Sequence, residues 1–257
     1  MNATVRGLAV TPVKGLRLCT VDRLTIGPAG AAGDRRFYVV DARGRMVNGK
    51  TVGELSAVVA SVEDDALSLT FPDGRVVSGT VDGGVPIRAR FYSLMREDRV
   101  VSGPWAQALS EHAGQPLRLV EATGGRSAID RGRQGGVSII SRASLVRLAT
   151  EADVSDVDVR RFRMTVEIDG VPAHAEDAWV GRRARIGSAL VRLRGHVGRC
   201  LITSRDPDTG VIDLPTLDIL AGYRGNTDTS EPLPFGIYGE VLEPGAVAVG
   251  DPVVLAD

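Results

Sequence analysis

The chain has 257 residues, of which 43% are hydrophobic and 25% are charged, and its formal net charge is −1. This balance is typical of an ordinary globular protein with one large domain or two small ones, and it gives no electrostatic reason to expect nucleic acid or an anionic membrane as a partner. The two cysteines, Cys19 and Cys200, cannot supply the four thiolates of an iron–sulfur cluster or of an all-cysteine zinc site, and they exclude a disulfide framework. A reducing compartment therefore fits best. With no secretory h-region and no apolar run long enough to cross a bilayer, we expect a cytoplasmic protein without a membrane span.

Short strand signals dominate the first 95 residues. Alternating or apolar runs cover residues 5–10, 18–26 and 37–40. Leu67–Phe71 and Arg75–Val77 flank Pro72-Asp73-Gly74, which predicts a hairpin because Asp-Gly tolerates positive φ. Short strands at this spacing favour a barrel or a sandwich over βαβ units.

Helical signals enter in the second part of the chain. Pro104 opens a predicted helix that Gly114 stops, and Ser141 can cap another through Leu145 and Leu148. Between them, residues 122–136 form a long Gly- and Arg-rich stretch without periodicity, and a loop of this length is usually functional or disordered. The remaining predicted elements are strands at 117–120, 137–140, 162–168 and 186–193, a short helix at 214–223, and a strand–turn–strand tail at 239–255.

Cys200 is the first candidate for chemistry. It follows Gly198-Arg199 after a predicted strand, and a neighbouring guanidinium favours the thiolate, which binds metals and attacks electrophiles. A lone cysteine is more often a small buried hydrophobic residue. The following Asp206-Pro207-Asp208-Thr209-Gly210 is a strong turn signal, which by itself indicates only a hairpin.

Several separate loops carry positive charge. Lys14 follows a predicted strand, Arg35 lies in the polar turn Gly33-Asp34-Arg35, and Arg163 ends the run Arg160-Arg161-Phe162-Arg163. Each could be an ordinary solvated surface cation. If they converge with the Gly/Arg loop, they make an anion site for a phosphate or pyrophosphate.

The usual nucleotide and hydrolase motifs are missing from the sequence. It has no GxxxxGK[ST], no strand-borne GxGxxG and no GxSxG, and its three histidines lack zinc-ligand spacing. His196, four residues before Cys200, raises the option of a Cys–His nucleophile, although a bystander histidine is the simpler explanation.

The order of these motifs resembles the MOSC family, the molybdenum-cofactor sulfurase C-terminal domain preceded by its N-terminal β-barrel domain, and in particular the amidoxime-reducing branch of that family. The matching runs, in family order, are Pro12-Val13-Lys14-Gly15, Gly33-Asp34-Arg35, Trp105, Arg118-Leu119-Val120, Arg161-Phe162-Arg163, Ala175-Glu176-Asp177-Ala178-Trp179, Arg199-Cys200 with Asp206-Pro207-Asp208-Thr209-Gly210, Tyr223-Arg224, Phe235-Gly236, Glu243-Pro244-Gly245 and Val249-Gly250-Asp251-Pro252-Val253. The resemblance covers nearly the whole chain.

The resemblance implies a mainly β protein with some α (α+β). An N-terminal β-barrel-like domain would span residues 1–95, and a MOSC β-barrel domain with a few helices would span 96–257 and carry Cys200, with interleaving of the two left open. It also implies that Cys200 is both the catalytic residue and the metal ligand of a molybdenum cofactor (Mo-molybdopterin). Lys14, Arg35 and Arg163 would hold the pterin and its phosphate, and Arg199 would line the same pocket. We expect no pyridoxal phosphate site.

The implied activity is molybdenum-dependent reduction of N-hydroxylated or N-oxide substrates by removal of an oxygen atom. Because the sequence closes at Asp257 and two cysteines cannot build a cluster, the electron donor is expected to be a separate ferredoxin- or cytochrome b5-like protein with its reductase. Two alternatives stay open: a sulfur carrier or cofactor-delivery protein using a Cys200 persulfide, and a MOSC scaffold recruited to another biosynthetic reaction. The chain departs from the family at Met164-Thr165, where Pro-Asn is common, and at Gly15, where a small hydroxylated residue is common.

Overall fold

The computed structural model describes residues 3–229 and 231–256, so the outermost residues of both expected domains lie outside it. Within these ranges the chain forms twenty β-strands and three α-helices, which confirms the expected mainly β fold with some α. The strands are β1 (Ala3–Val10), β2 (Val13–Lys14), β3 (Cys19–Val21), β4 (Arg23–Gly27), β5 (Gly30–Ala31), β6 (Phe37–Asp41), β7 (Met46–Val47), β8 (Val59–Glu63), β9 (Ala66–Thr70), β10 (Val76–Thr80), β11 (Val85–Phe91), β12 (Leu94–Val100), β13 (Leu117–Glu121), β14 (Val137–Ser141), β15 (Val166–Asp169), β16 (Arg183–Ile186), β17 (Ala189–Gly198), β18 (Pro234–Glu243), β19 (Gly245–Ala248) and β20 (Pro252–Ala256). The helices are α1 (Trp105–Ala113), α2 (Arg142–Glu151) and α3 (Thr216–Arg224). No helix in the described ranges is both long and apolar enough to cross a membrane.

Seven strands close into a barrel. Their order is β15-β14-β18-β17-β16-β20-β1, and β1 returns to β15 with Thr4 opposite Asp169 and Leu8 opposite Val166. The inward side chains are mostly Val, Ile and Ala, which suit a pleated and fully buried surface. Closure pairs the strand that would otherwise be an edge, and it brings residues 3–10 against a strand more than 150 residues further along the chain.

Two further sheets pack around α1. One has the strand order β11-β12-β13-β6-β2, and the other is three-stranded with the order β10-β9-β8. Trp105 anchors the two because its ring is fully buried and its Nε1 donates to the carbonyl of Leu67 over 3.0 Å. The predicted Pro72-Asp73-Gly74 hairpin is confirmed between β9 and β10, and the predicted helix at 104–113 is confirmed as α1.

Three predicted strands differ from the observed ones. The strand expected at 162–168 begins only at Val166, because Asp158 caps a 3-10 helix at Val159–Phe162 and Arg163 then takes a left-handed conformation (φ 56°). The stretch expected as one strand at 186–193 contains the turn of the hairpin β16–β17, and the one expected at 18–26 is divided into β3 and β4. Glu243-Pro244-Gly245 does not fold the tail back on itself, since β19 pairs with β4.

Candidate functional site

One cavity of about 170 Å³ brings together the five residues singled out from the sequence, Lys14, Arg35, Arg163, Arg199 and Cys200. The rest of its lining consists of Ile129, Asp130, Arg131, Gly135, Gly136, Ser138, Phe162, Met164, Thr165, Val197, Gly198, Ile202, Thr203 and Tyr238. The cavity therefore lies where the barrel, the 3-10 helix before Arg163 and the long Gly/Arg loop meet. The separate basic loops of the sequence form one local site.

Two of these cations come from the N-terminal part of the chain. Lys14 ends β2, which runs parallel to β6, and its side chain is buried and ion-paired with Asp130. Burial lowers the pKa of Lys14, and the Asp130 carboxylate offsets part of that shift. Arg35 is also buried, in a left-handed conformation (φ 51°); it pairs with Asp34 and donates to the carbonyl of Arg163 over 2.9 Å.

Arg163 sits at the C-terminal end of the 3-10 helix and reaches across to the N-terminal part, where its Nη2 donates to the carbonyl of Leu16 over 2.8 Å. Burial lowers the pKa of Arg163, and the neighbouring Arg35 cation adds to that shift. Two guanidiniums held close together repel each other, so this arrangement favours an anion in the space they face.

Cys200 follows β17, which ends at Gly198, and its thiol is free and exposed. The preceding Arg199 is turned into the protein: it donates to the carbonyls of Phe235 and Phe162 and, over 3.1 Å, to Sδ of Met164. Arg199 thus adds positive charge to the cavity while its hydrogen bonds fix the backbone just before Cys200. Burial lowers the pKa of Arg199, and the adjacent Cys200 opposes that shift.

The cavity has an excess of positive charge. Its lining carries five cationic side chains, and three carboxylates are set against them: Asp130 in the lining, Asp34 paired with Arg35, and Glu231 paired with Arg131. Hydroxyl groups are also present, since Ser138 Oγ lies 3.2 Å from Thr165 Oγ1 and accepts from the Thr165 amide over 3.0 Å. The departure at Met164-Thr165 therefore still places a polar group in the lining.

Sequence reasoning missed two groups of this site, Asp130 and Tyr238. Asp130 belongs to the long loop that was expected to be functional or disordered, and nothing in the loop distinguished this carboxylate from its neighbours. Burial would raise the pKa of Asp130, but the charge of Lys14 and the hydrogen bond from it outweigh burial and hold the pKa below its usual range. The guanidinium carbon of Arg131 lies 4.4 Å from the ring centroid of Tyr238, in a cation–π contact.

Two other features near Cys200 in sequence do not line the cavity. Asp206-Pro207-Asp208-Thr209-Gly210 forms a turn in which Asp206 Oδ1 accepts from the amides of Asp208 and Thr209, and Asp208 pairs with Arg160. His196 faces Asp177, with Nε2 3.7 Å from Oδ1. The turn holds the segment after Cys200 in place, and His196 is not among the residues that line the cavity.

Family models match the chain in two segments. The MOSC N-terminal beta barrel domain matches residues 2–96, and the MOSC domain matches residues 126–254. The fold and the cationic cavity thus belong to a two-part β-barrel protein of this kind, and the chain is a member of the MOSC domain family. The resemblance drawn from the motif order is confirmed, while the boundary at residues 95 and 96 stays a prediction.

Curated relatives cover nearly the whole chain. It is similar to the mitochondrial amidoxime reducing component 2 of Bos taurus, with 30% identity over 97% of this chain and 82% of the relative. It is also similar to the mitochondrial amidoxime-reducing component 1 of Mus musculus (29% identity, 98% and 82% covered) and of Homo sapiens (28% identity, 98% and 82% covered). Among solved structures, the YUAD protein of Bacillus subtilis aligns over 99% of this chain and 96% of its own with 13% identity and a TM-score of 0.47, which is too distant to support an inference.

Proposed function

We propose that this protein is a molybdenum-cofactor-dependent reductase of N-hydroxylated or N-oxide compounds, with Cys200 as the thiolate ligand of the metal. The observation that carries the proposal is the cavity in which an exposed free thiol stands beside cations contributed by both parts of the chain, of which Lys14 and Arg35 are buried. The names of the curated relatives, amidoxime-reducing components, support the same reaction class.

The residues present fit a large anionic cofactor. Lys14, Arg35 and Arg163 supply the charge-assisted donors that a dianionic phosphate needs, and the hydroxyls of Ser138 and Thr165 suit a polar pterin edge. Arg199 acts as a positioning residue, because its donors are taken by backbone carbonyls on either side of the thiol loop. When bound, the cofactor would supply the two-electron chemistry that removes the oxygen atom of the substrate as water.

The chain's own groups bind, orient and supply protons. Lys14 Nζ donates to Oδ1 of Asp130 at the cavity wall, and burial lowers the pKa of Lys14, which makes Nζ a better proton donor than an ordinary lysine. Because two cysteines cannot form a cluster, we assign electron delivery to a separate ferredoxin- or cytochrome b5-like protein and its reductase.

The proposal is tested by replacing Cys200 with serine in protein expressed in a host that makes the cofactor. Cys200→Ser is expected to abolish reduction of benzamidoxime by a chemical electron donor, because serine offers no soft thiolate ligand. The matched control is Cys19→Ser, since Cys19 is the other free cysteine and lies outside the cavity. Full activity of Cys200→Ser would overturn the proposal.

A second candidate function is sulfur transfer through a persulfide on Cys200. The observation that favours it is the exposure of this free thiol, which an incoming sulfur donor could reach. Intact mass and metal analysis of the same preparation separate the two functions. An extra sulfur atom on Cys200 without molybdenum supports the carrier, and bound molybdenum supports the reductase.

A further inference from the structure

A second, smaller cavity adjoins the first at Cys200. Its volume is about 90 Å³, and it is lined by Lys14, Gly15, Asn48, Lys50, Tyr92, Asp130, Arg163, Cys200 and Ile202. Lys14, Asp130, Arg163, Cys200 and Ile202 belong to both linings. The thiol therefore borders two adjoining spaces, and the smaller one adds Asn48, Lys50 and Tyr92 to the residues that both share.

Hydrogen-bonding groups converge on the smaller cavity from three separate loops. Asn48 donates through Nδ2 to the hydroxyl of Tyr92 over 3.1 Å, and that hydroxyl in turn donates to Oδ2 of Asp130 over 3.4 Å. The other oxygen of Asp130 accepts from Lys14. The side-chain oxygen of Asn48 accepts from the amide of Lys50 over 2.9 Å, which fixes the direction of the Asn48 amide nitrogen.

The Tyr92–Asp130 contact is long for a hydrogen bond between two oxygens, so a ligand can replace it at little cost. Each carboxylate oxygen of Asp130 can accept more than one bond, and the site thus retains accepting capacity beside a phenolic donor. Although 47% of the Tyr92 surface is exposed, desolvation raises the pKa of Tyr92 and the Asp130 charge adds to the shift, so the hydroxyl keeps its proton.

The backbone of Tyr92 supports a functional role for this residue. It has φ 55°, in the left-handed region that a bulky aromatic residue seldom adopts, at the tip of the β11–β12 hairpin. Two contacts hold it there: Arg90 Nε donates to its carbonyl over 3.2 Å, and the ring of Phe91 meets its ring edge-on at 5.4 Å. Such conformations cluster at ligand sites, because they persist only where the surroundings impose them.

We propose that the smaller cavity binds the N-hydroxylated head group of a small uncharged substrate, with Asp130 accepting from the substrate and Tyr92 and Asn48 completing its hydrogen bonds. This inference rests on the proposed reductase function and names its substrate class. Amidoximes and hydroxylamines carry O–H and N–H groups that can donate hydrogen bonds to Asp130, whereas a tertiary amine N-oxide has only an acceptor oxygen. Since the volume corresponds to about three water molecules, the head group fits inside and the rest of the substrate extends past Lys50.

The inference is tested with Tyr92→Phe, which keeps the ring and removes the hydroxyl. In the cofactor-loaded enzyme, the KM for benzamidoxime is expected to rise about tenfold, as for the loss of one hydrogen bond to a polar ligand. The molybdenum content is expected to stay unchanged. The control is Tyr223→Phe, because the Tyr223 hydroxyl is buried without a partner and lies outside both cavities.

Calorimetric titration of benzamidoxime into the same proteins, without an electron donor, gives a readout independent of turnover. If Tyr92→Phe weakens benzamidoxime binding while the wild-type chain shows no turnover, the inference stands and the reductase function falls. If the wild-type chain turns over benzamidoxime but Tyr92→Phe matches it in KM and affinity, the inference falls and the function stands. Absence of both binding and turnover overturns both.

Discussion

Replacing Gly210 with alanine tests how firmly the turn after Cys200 is docked on the N-terminal part of the chain. Gly210 has φ +75°, and a methyl group built on it would overlap the carbonyl of Gly53 and come within 3.1 Å of the amide nitrogen of Glu54. The left-handed conformation alone costs alanine about 1–2 kcal/mol. Overlap with rigid backbone adds about 1–3 kcal/mol. We therefore expect Gly210→Ala to lower the free energy of unfolding by about 2–5 kcal/mol in total.

Gly74→Ala is the matched control for this change. Gly74 has φ +85°, and a methyl group there meets nothing within 4 Å, so the control isolates the conformational cost. Urea denaturation of both variants measures the difference, with the wild-type m-value retained if the native state is otherwise intact. Equal losses in the two variants would refute the close docking of Gly210 on Gly53.

Two further predictions concern pH and charge. Burial lowers the pKa of His174 to about 4, and the charge of Arg224 adds to the shift. Below the ordinary histidine pKa the unfolded chain therefore binds a proton that the folded chain does not. The contribution of His174 to the free energy of unfolding is full above that ordinary pKa and is lost as the pH falls below it. Between neutral pH and about pH 5 the loss in the free energy of unfolding is at most about 2 kcal/mol. Urea unfolding of His174→Gln should therefore show a flatter dependence of this free energy on pH. An unchanged pH dependence in the variant would contradict this. Arg163→Gln should lower the molybdenum content several-fold, while Arg161→Gln, which loses only the pair with Asp213, should not; equal molybdenum contents would remove Arg163 from the cofactor site.

The sequence predicts those turns and helix ends whose conformation depends on residues close to them in the chain. The hairpin at Pro72-Asp73-Gly74 and the helix start at Pro104 follow from turn and capping preferences. The strand expected at 162–168 was wrong over its first part, because capping by Asp158 and the long-range contacts of Arg163 override an apolar run. Closure of the barrel by β1 and β15 depends on contacts that no window of the sequence contains.

The candidate site was predicted by motif order more than by residue chemistry. Residue chemistry alone indicates a lone thiol at Cys200 and a surface cation at Lys14, and it is the family resemblance that groups them in one site. Asp130 and Tyr92 carried no local signal, since a carboxylate in a polar loop and a tyrosine at a strand end are common. Their importance arises from the hydrogen bonds that join them to Asn48 and Lys14 across more than 30 residues of sequence.

Elemental analysis for molybdenum tests the central claim most directly. The chain is expressed in a host that makes the cofactor, and the metal is quantified in wild-type protein and in Cys200→Ser. We expect about one molybdenum atom per wild-type chain and a strong loss in the variant, since we propose the Cys200 thiolate as the protein's own ligand to the metal. Wild-type protein that reduces benzamidoxime without molybdenum, or that carries an extra sulfur atom on Cys200 in place of the metal, would contradict the account.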